Sequence, residues 1–191
     1  MTSTRMEAYS DAVIAILITI MVLELKVPHS AELHALVEVW PHLLSYILSF
    51  IYLAIYWNNH HHMLHMVERV NGGILWANNL LLFWLSLVPF ATAWSGESGF
   101  AQWPVIAYSV VLLCAGVSYY ILQTVIIRSQ GADSKLARAV GGDWKGRYSP
   151  AIYAVAIGSA FLGPIIGMCI LWLAAAIWLV PDRRIEKMLG E

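Results

Sequence analysis

An all-α protein embedded in a lipid bilayer is the architecture this chain encodes, and three features say so. Hydrophobic residues fill 60% of its 191 positions, where soluble domains hold roughly 45–50%. Charged residues fill only 12%, about half the usual share. Four apolar stretches, Tyr9–Val27, Trp40–His62, Gly73–Trp94 and Ala101–Ile127, approach or exceed the roughly 20 residues that carry a helix across about 30 Å of hydrocarbon. This composition excludes a soluble enzyme, a secreted disulfide scaffold and a disordered chain.

A fifth stretch, Ala151–Val180, holds 30 residues. As one helix it would be about 45 Å long, too much for a single straight crossing. Gly163-Pro164 near its middle is a turn signal, so the stretch reads as a hairpin of two short helices. Six transmembrane helices are therefore expected at about 4–27, 40–65, 73–94, 101–128, 150–162 and 165–181, in one domain spanning residues 1–191, with a cytoplasmic loop at 129–149. Charge placement supports that count, because cytoplasmic segments collect Lys and Arg. With both termini inside, Arg5, Arg69, Arg128, Lys135, Arg138, Lys145, Arg147, Arg183, Arg184 and Lys187 all fall on the inner side. That is ten of the eleven basic residues, leaving only Lys26 outside. The first span is not expected to be a cleaved signal peptide: Asp11 interrupts its entry, and Glu24-Leu25-Lys26 stands where small residues would mark a cleavage site.

Net charge is −1, which offers nothing to a nucleic-acid partner. Cys114 and Cys169 lie in apolar runs, without metal-ligand or disulfide-framework spacing.

Ionisable groups inside a span face protein or water. The first span carries Ser10 and Asp11 soon after Arg5. Arg5 and Asp11 sit roughly 240° apart on a helical wheel and pair poorly along one helix. Asp11 therefore needs a partner on a neighbouring helix. The second span ends in Trp57-Asn58-Asn59-His60-His61-His62 and the third, entering from the same side, carries Trp76-Ala77-Asn78-Asn79 at similar depth. One inter-helix cluster is expected from Arg5, Ser10, Asp11, His60 or His61, and Asn78. Three readings are open: buried polar groups that fix packing, a proton relay or cation site, and a metal site using His60, His61, His62 and His65, of which His61 and His65 have i, i+4 spacing. No metal is expected.

The same helix has a second face. Ala12, Thr19, Ile20, Leu23 and Val27 all fall within about 60° of Ile16, and Asp11 lies near 220° from it. This stripe is branched, apolar and marked by one threonine. It reads either as a face meeting lipid and other helices or as a pore wall, since rings of bulky aliphatics gate channels by dewetting.

The run Arg5-Met6-Glu7-Ala8-Tyr9-Ser10-Asp11-Ala12-Val13-Ile14-Ala15-Ile16 resembles the Arg-x-x-x-Phe-Ser-Asp signature of the lysosomal-type transmembrane potassium channel family, and most closely its bacterial members with a single six-helix unit. The likeness continues through Val22–Pro28, the His-rich end of the second span, and Asn78 to Pro89-Phe90. Tyr9 stands where the family usually has Phe, and its hydroxyl needs a partner. The resemblance implies a homotetrameric potassium-permeable channel in the inner membrane of a bacterium, with membrane lipids, monovalent cations and no cofactor. The first helices would surround the conduction path. Ile16 would form the constriction, with Thr19, Ile20 and Leu23 next along the path. Arg5, Tyr9, Ser10, Asp11, His60, His61 and Asn78 would be structural, and Thr19 would help coordinate or select the ion. No Thr-Val-Gly-Tyr-Gly loop is present, so no carbonyl filter is expected. Glu24 reads either as an attractor of cations or as an interfacial residue beside Lys26. A secondary or proton-coupled transporter using Asp11 and the histidines is the alternative. A hydrolase is not expected, because neither a nucleophile elbow nor zinc-protease spacing occurs.

Overall fold

The computed structural model describes residues 3–140 and 144–179, with the backbone alone at 144–147. The end of the last expected helix at 180–181 and the basic residues Arg183, Arg184 and Lys187 lie outside the described residues, as do the side chains of Lys145 and Arg147. Among the described residues the regular structure is helical: α1 Ser3–Leu23, α2 Leu36–His65, α3 Gly72–Ser86, α4 Val88–Glu97, α5 Gln102–Gln130, α6 Lys135–Val140, α7 Trp144–Ala160 and α8 Pro164–Leu179. Among the described residues, four segments are long and apolar enough to cross a membrane: Ser3–Leu23, Leu33–His65, Gly72–Glu97 and Gln102–Gln130. Pro164–Leu179 is apolar but shorter.

Several boundaries differ from expectation, each for a local reason. α1 stops at Leu23 rather than 27. Its last turn closes through Glu24 N–H to the Met21 carbonyl and Leu25 N–H to the Val22 carbonyl, and Pro28 disfavours helical geometry at Val27. α2 begins at Leu36, after a 3-10 turn at Leu33–Ala35, rather than at Trp40. Pro41 is tolerated inside it, since the acceptor it deprives, the Val37 carbonyl, belongs to a residue 74% exposed at the helix end. The third span is broken at Leu87, which closes α3 and opens α4, because Pro89 cannot donate to the carbonyl four residues back. The segment expected to be a loop at 129–149 contains the end of α5, all of α6 and the start of α7. Leu136 of α6 is buried in the main core, and that packing outweighs the Gly-rich, basic composition. The fifth stretch does turn at 161–163, with Pro164 opening α8, a position where its missing N–H costs nothing.

α1 lies against α2, α3 and α4, while α5 packs on α3, α4, α7 and α8, and α2 on α4 and α8. Small residues let these helices approach closely. A Cβ on Gly96 would meet the His42 Cα at 2.9 Å, and one on Gly167 would meet the Ala156 carbonyl at 3.0 Å. Close backbone approach of this kind drives helix association where lipid removes the hydrophobic incentive.

Hydroxyls supply several of the inter-helix bonds. Ser49 Oγ on α2 lies 2.6 Å from Thr92 Oγ1 on α4 and 2.7 Å from the Tyr108 hydroxyl on α5. Asn71 caps α3 by accepting from Ile74 N–H at 3.0 Å and donates to Ser129 Oγ at 2.8 Å, tying the start of α3 to the end of α5.

The two faces of the first helix

One face of α1 is buried in its own chain. Met6, Ser10, Ile14, Leu17 and Met21 recur every three or four residues and are all buried. The lone polar member, Ser10, is 0% exposed. Its hydroxyl donates to the Met6 carbonyl at 2.9 Å and accepts from the Asn78 amide at 3.0 Å. Asn78 Oδ1, on α3, meets His60 Nε2, on α2, at 2.7 Å. Both Asn78 and His60 are 1% exposed. If Asn78 Oδ1 accepts, the bonded nitrogen of His60 carries the proton. Ser10, Asn78 and His60 thus form one hydrogen-bonded chain joining α1, α3 and α2.

Asp11 does not enter that chain. The Trp57 indole N–H donates to its carboxylate at 2.9 Å. Trp57 lies one helical turn before the histidines, and an indole N–H can only donate, which suits a carboxylate. The Trp57 ring stacks on His61, with centroids 5.6 Å apart and planes 19° from parallel. His61 lies 4.7 Å from the His65 ring, and His65 Nδ1 comes within 3.9 Å of Glu7 Oε1. A second group therefore links α1 to α2, consisting of Glu7, Asp11, Trp57, His61 and His65. The single cluster expected from the sequence is two adjacent ones.

Arg5 is exposed and pairs with no described residue. On the wheel it lies about 180° from buried Ile14, so it cannot reach the Ser10 side. Tyr9 is 52% exposed, and its hydroxyl likewise meets no described partner. Trp57 and Glu7 were not singled out from the sequence. The only hint of Trp57 was its place at the head of the polar run ending the second span. Among the described residues, no group of three or more His, Cys, Asp or Glu is arranged to hold a metal ion.

The opposite face of α1 is unpacked. Ile16 is 55% exposed, Ile20 42% and Leu23 79%, and Thr19 is exposed beside them. The Thr19 hydroxyl donates to the Ile16 carbonyl at 2.9 Å, which leaves its lone pairs directed outward. Val27, expected on the same stripe, lies beyond the helix end. At the other end of α1, Lys26 pairs with Glu97 at 3.0 Å, both exposed, and Glu24 is exposed without a described ion pair.

Comparison with known proteins places this helix arrangement. The family model of the endosomal/lysosomal potassium channel TMEM175 matches residues 5–89, which span α1, α2, α3 and the start of α4. A potassium channel of Chryseobacterium sp. (strain P1-3) is 52% identical over 191 residues, covering 100% of both chains. A potassium channel of Chamaesiphon minutus is 30% identical over 181 residues, covering 86% of this chain and 88% of the relative. The crystal structure of a lysosomal potassium-selective channel TMEM175 homolog from Chamaesiphon minutus superposes with a TM-score of 0.81 at 27% identity, over 93% of this chain and 96% of that one. The fold is that of a multi-pass membrane channel, and the chain belongs to the TMEM175 family of potassium channels.

Proposed function

We propose that four copies of this chain surround a shared water path lined by α1, and that potassium and other monovalent cations cross it passively. The observation that carries this reading is the division of α1 into two faces. Its buried side is committed to α2, α3 and α4. Its Ile16 side, three bulky aliphatics and one threonine, is left exposed by the described residues. A ring of Ile16 side chains, followed by Ile20 and Leu23, forms the gate. When narrow, such a ring expels water and strands a hydrated ion, so closure needs no charged plug. The Thr19 hydroxyl donates its hydrogen bond to the Ile16 carbonyl, so its oxygen lone pairs are free for a passing cation. With no carbonyl cage to replace the hydration shell, selectivity for potassium over sodium is modest.

The hydrogen-bonded chain of Ser10, Asn78 and His60 holds α1 at a set rotation, keeping Ile16 toward the axis. Arg5 and Tyr9, exposed in the single chain, meet the neighbouring copy. Six crossings with both termini in the cytoplasm accommodate α7 and α8 as a hairpin, in the inner membrane of a bacterium. The proton-coupled alternative asks for a continuous relay between Asp11 and the buried histidine. Asp11 reaches His61 only through the Trp57 ring, whose stacking carries no proton, and His60 belongs to a separate hydrogen-bonded group, which favours the passive pore.

Single-channel recording of the purified protein in a planar bilayer tests the proposal. Unitary steps reversing at the Nernst potential for a weakly potassium-selective pore are expected. Smooth, protonophore-sensitive uptake without unitary steps would refute it.

A further inference from the structure

The third span carries a defect at its middle, where α3 gives way to α4. Pro89 has no N–H, so the hydrogen bond that position would make to the Leu85 carbonyl is missing. The ladder beside it is altered as well. Leu87 N–H turns to the Trp84 carbonyl, three residues back, at 3.2 Å, and the Ser86 hydroxyl donates to the Phe83 carbonyl at 2.7 Å. A 3-10 turn inside a helix marks a hinge or a strained segment, and a hydroxyl bonded back along its own helix bends it. The two halves of this span are not one rigid rod.

Different neighbours hold those halves. The start of α3 is tied to the end of α5, where the Asn71 amide donates to Ser129 Oγ at 2.8 Å. α4 is tied to α2. Ser49 Oγ lies 2.6 Å from Thr92 Oγ1, and Gly96 lies so close to α2 that a Cβ on it would meet the His42 Cα at 2.9 Å.

α1 is fastened to both halves. Toward its inner end, the Asn78 amide of α3 donates to Ser10 Oγ at 3.0 Å. Toward its outer end, the Thr92 hydroxyl of α4 faces Met21 Sδ at 3.8 Å. Just past the helix, Lys26 pairs with Glu97 of α4 at 3.0 Å. These pairings climb together along the chain, so α1 runs parallel to α3 and α4. Counted on from Asn78, Leu87 comes level with Thr19; counted back from Thr92, it comes level with Ile16. The defect therefore lies beside the exposed stripe of α1. On an unbroken rod the two fastenings could not shift against each other, and Ile16 would be held at one angle. A hinge between them lets the outer half of α1 tilt while Ser10 stays in place.

We infer that Leu87–Pro89 is the hinge of the gate: α4, carried by α2, tilts α1 about the Ser10–Asn78 fastening and so widens or narrows the ring at Ile16. Pro89 is thus a positioning residue for conduction, acting through α1. The inference rests on the pore reading of α1.

Single-channel recording of the full chain in planar bilayers tests it through dwell times. Pro89→Ala restores the N–H, so open and closed dwell times should both lengthen at least about fivefold. Unitary conductance should stay at the parent value, because the lining of the path is untouched. Pro89→Gly regains the N–H but keeps a freely rotating backbone, and its dwell times should stay within about twofold of the parent. Ser86→Ala, at an exposed position, should lengthen dwell times about twofold by removing the bond that bends the helix. Should Pro89→Ala fail to fold, Ser86→Ala and Pro89→Gly decide. Parent dwell times in Pro89→Ala or Ser86→Ala would overturn the inference, as would slowing in Pro89→Gly beyond twofold. Any of these results in a channel whose parent gates refutes the hinge alone. A parent without unitary steps refutes the pore reading, and the hinge with it.

Discussion

Ile16→Asn is expected to raise potassium flux into liposomes at least about tenfold, because a fall of only about 1.4 kcal/mol in the barrier suffices for that change. The substitution nearly conserves side-chain length but replaces a branched apolar surface with a hydrogen-bonding amide. If four copies ring one path, four amides hold water in the constriction and a hydrated ion no longer meets a dry gap. Ile16 is 55% exposed, so the change leaves no cavity inside the protomer, and the variant should fold and assemble like the parent. Val155→Asn is the matching control. Val155 is 60% exposed on α7, away from α1, and its replacement should leave flux unchanged. Equal flux in Ile16→Asn and parent, with assembly intact, would count against a gate at this position.

Asn78→Ala should destabilise the fold by about 2–4 kcal/mol, since it strips a partner from two buried groups at once. Ser10 loses the donor at 3.0 Å and His60 the acceptor at 2.7 Å, and no water reaches side chains 0% and 1% exposed. Hydrogen bonds between membrane helices often measure below the values for soluble proteins, which places the lower figure nearer expectation. A double-mutant cycle with His60→Ala, read by unfolding in detergent, isolates the shared bond. Positive coupling is expected, whereas additive losses would mean the contact contributes nothing of its own. The variant should also lower flux per assembled channel, because α1 loses the contact that sets its rotation.

Much of α1 was legible in the sequence because both its faces obey one period. Ile16, Ile20 and Leu23 fall together on any helical wheel, and Asp11 falls on the far side from them. Asn78 and His60 were legible as polar residues at matching depth. The partner of Asp11 was not. Trp57 contributes mostly apolar surface, and only packing reveals that its single N–H points at a carboxylate. Arg5 was misplaced because its charge suggested a cluster with Asp11, while its angle puts it on the Ile16 side. The early start of α7 and the presence of α6 were hidden by Gly and basic residues, since burial of Leu136 is a tertiary fact. Ser49, Thr92 and Tyr108 are likewise scattered along the chain, and only the crossing of α2, α4 and α5 brings their hydroxyls together.

Whether Ile16 faces water or lipid is the most direct test of the account. With Cys114 and Cys169 replaced by serine, Ile16→Cys is treated with a membrane-impermeant cationic thiol reagent during potassium flux. The account predicts that the thiol reacts and that flux falls as it does. Labelling only by a lipid-soluble maleimide, with flux unchanged, would contradict it.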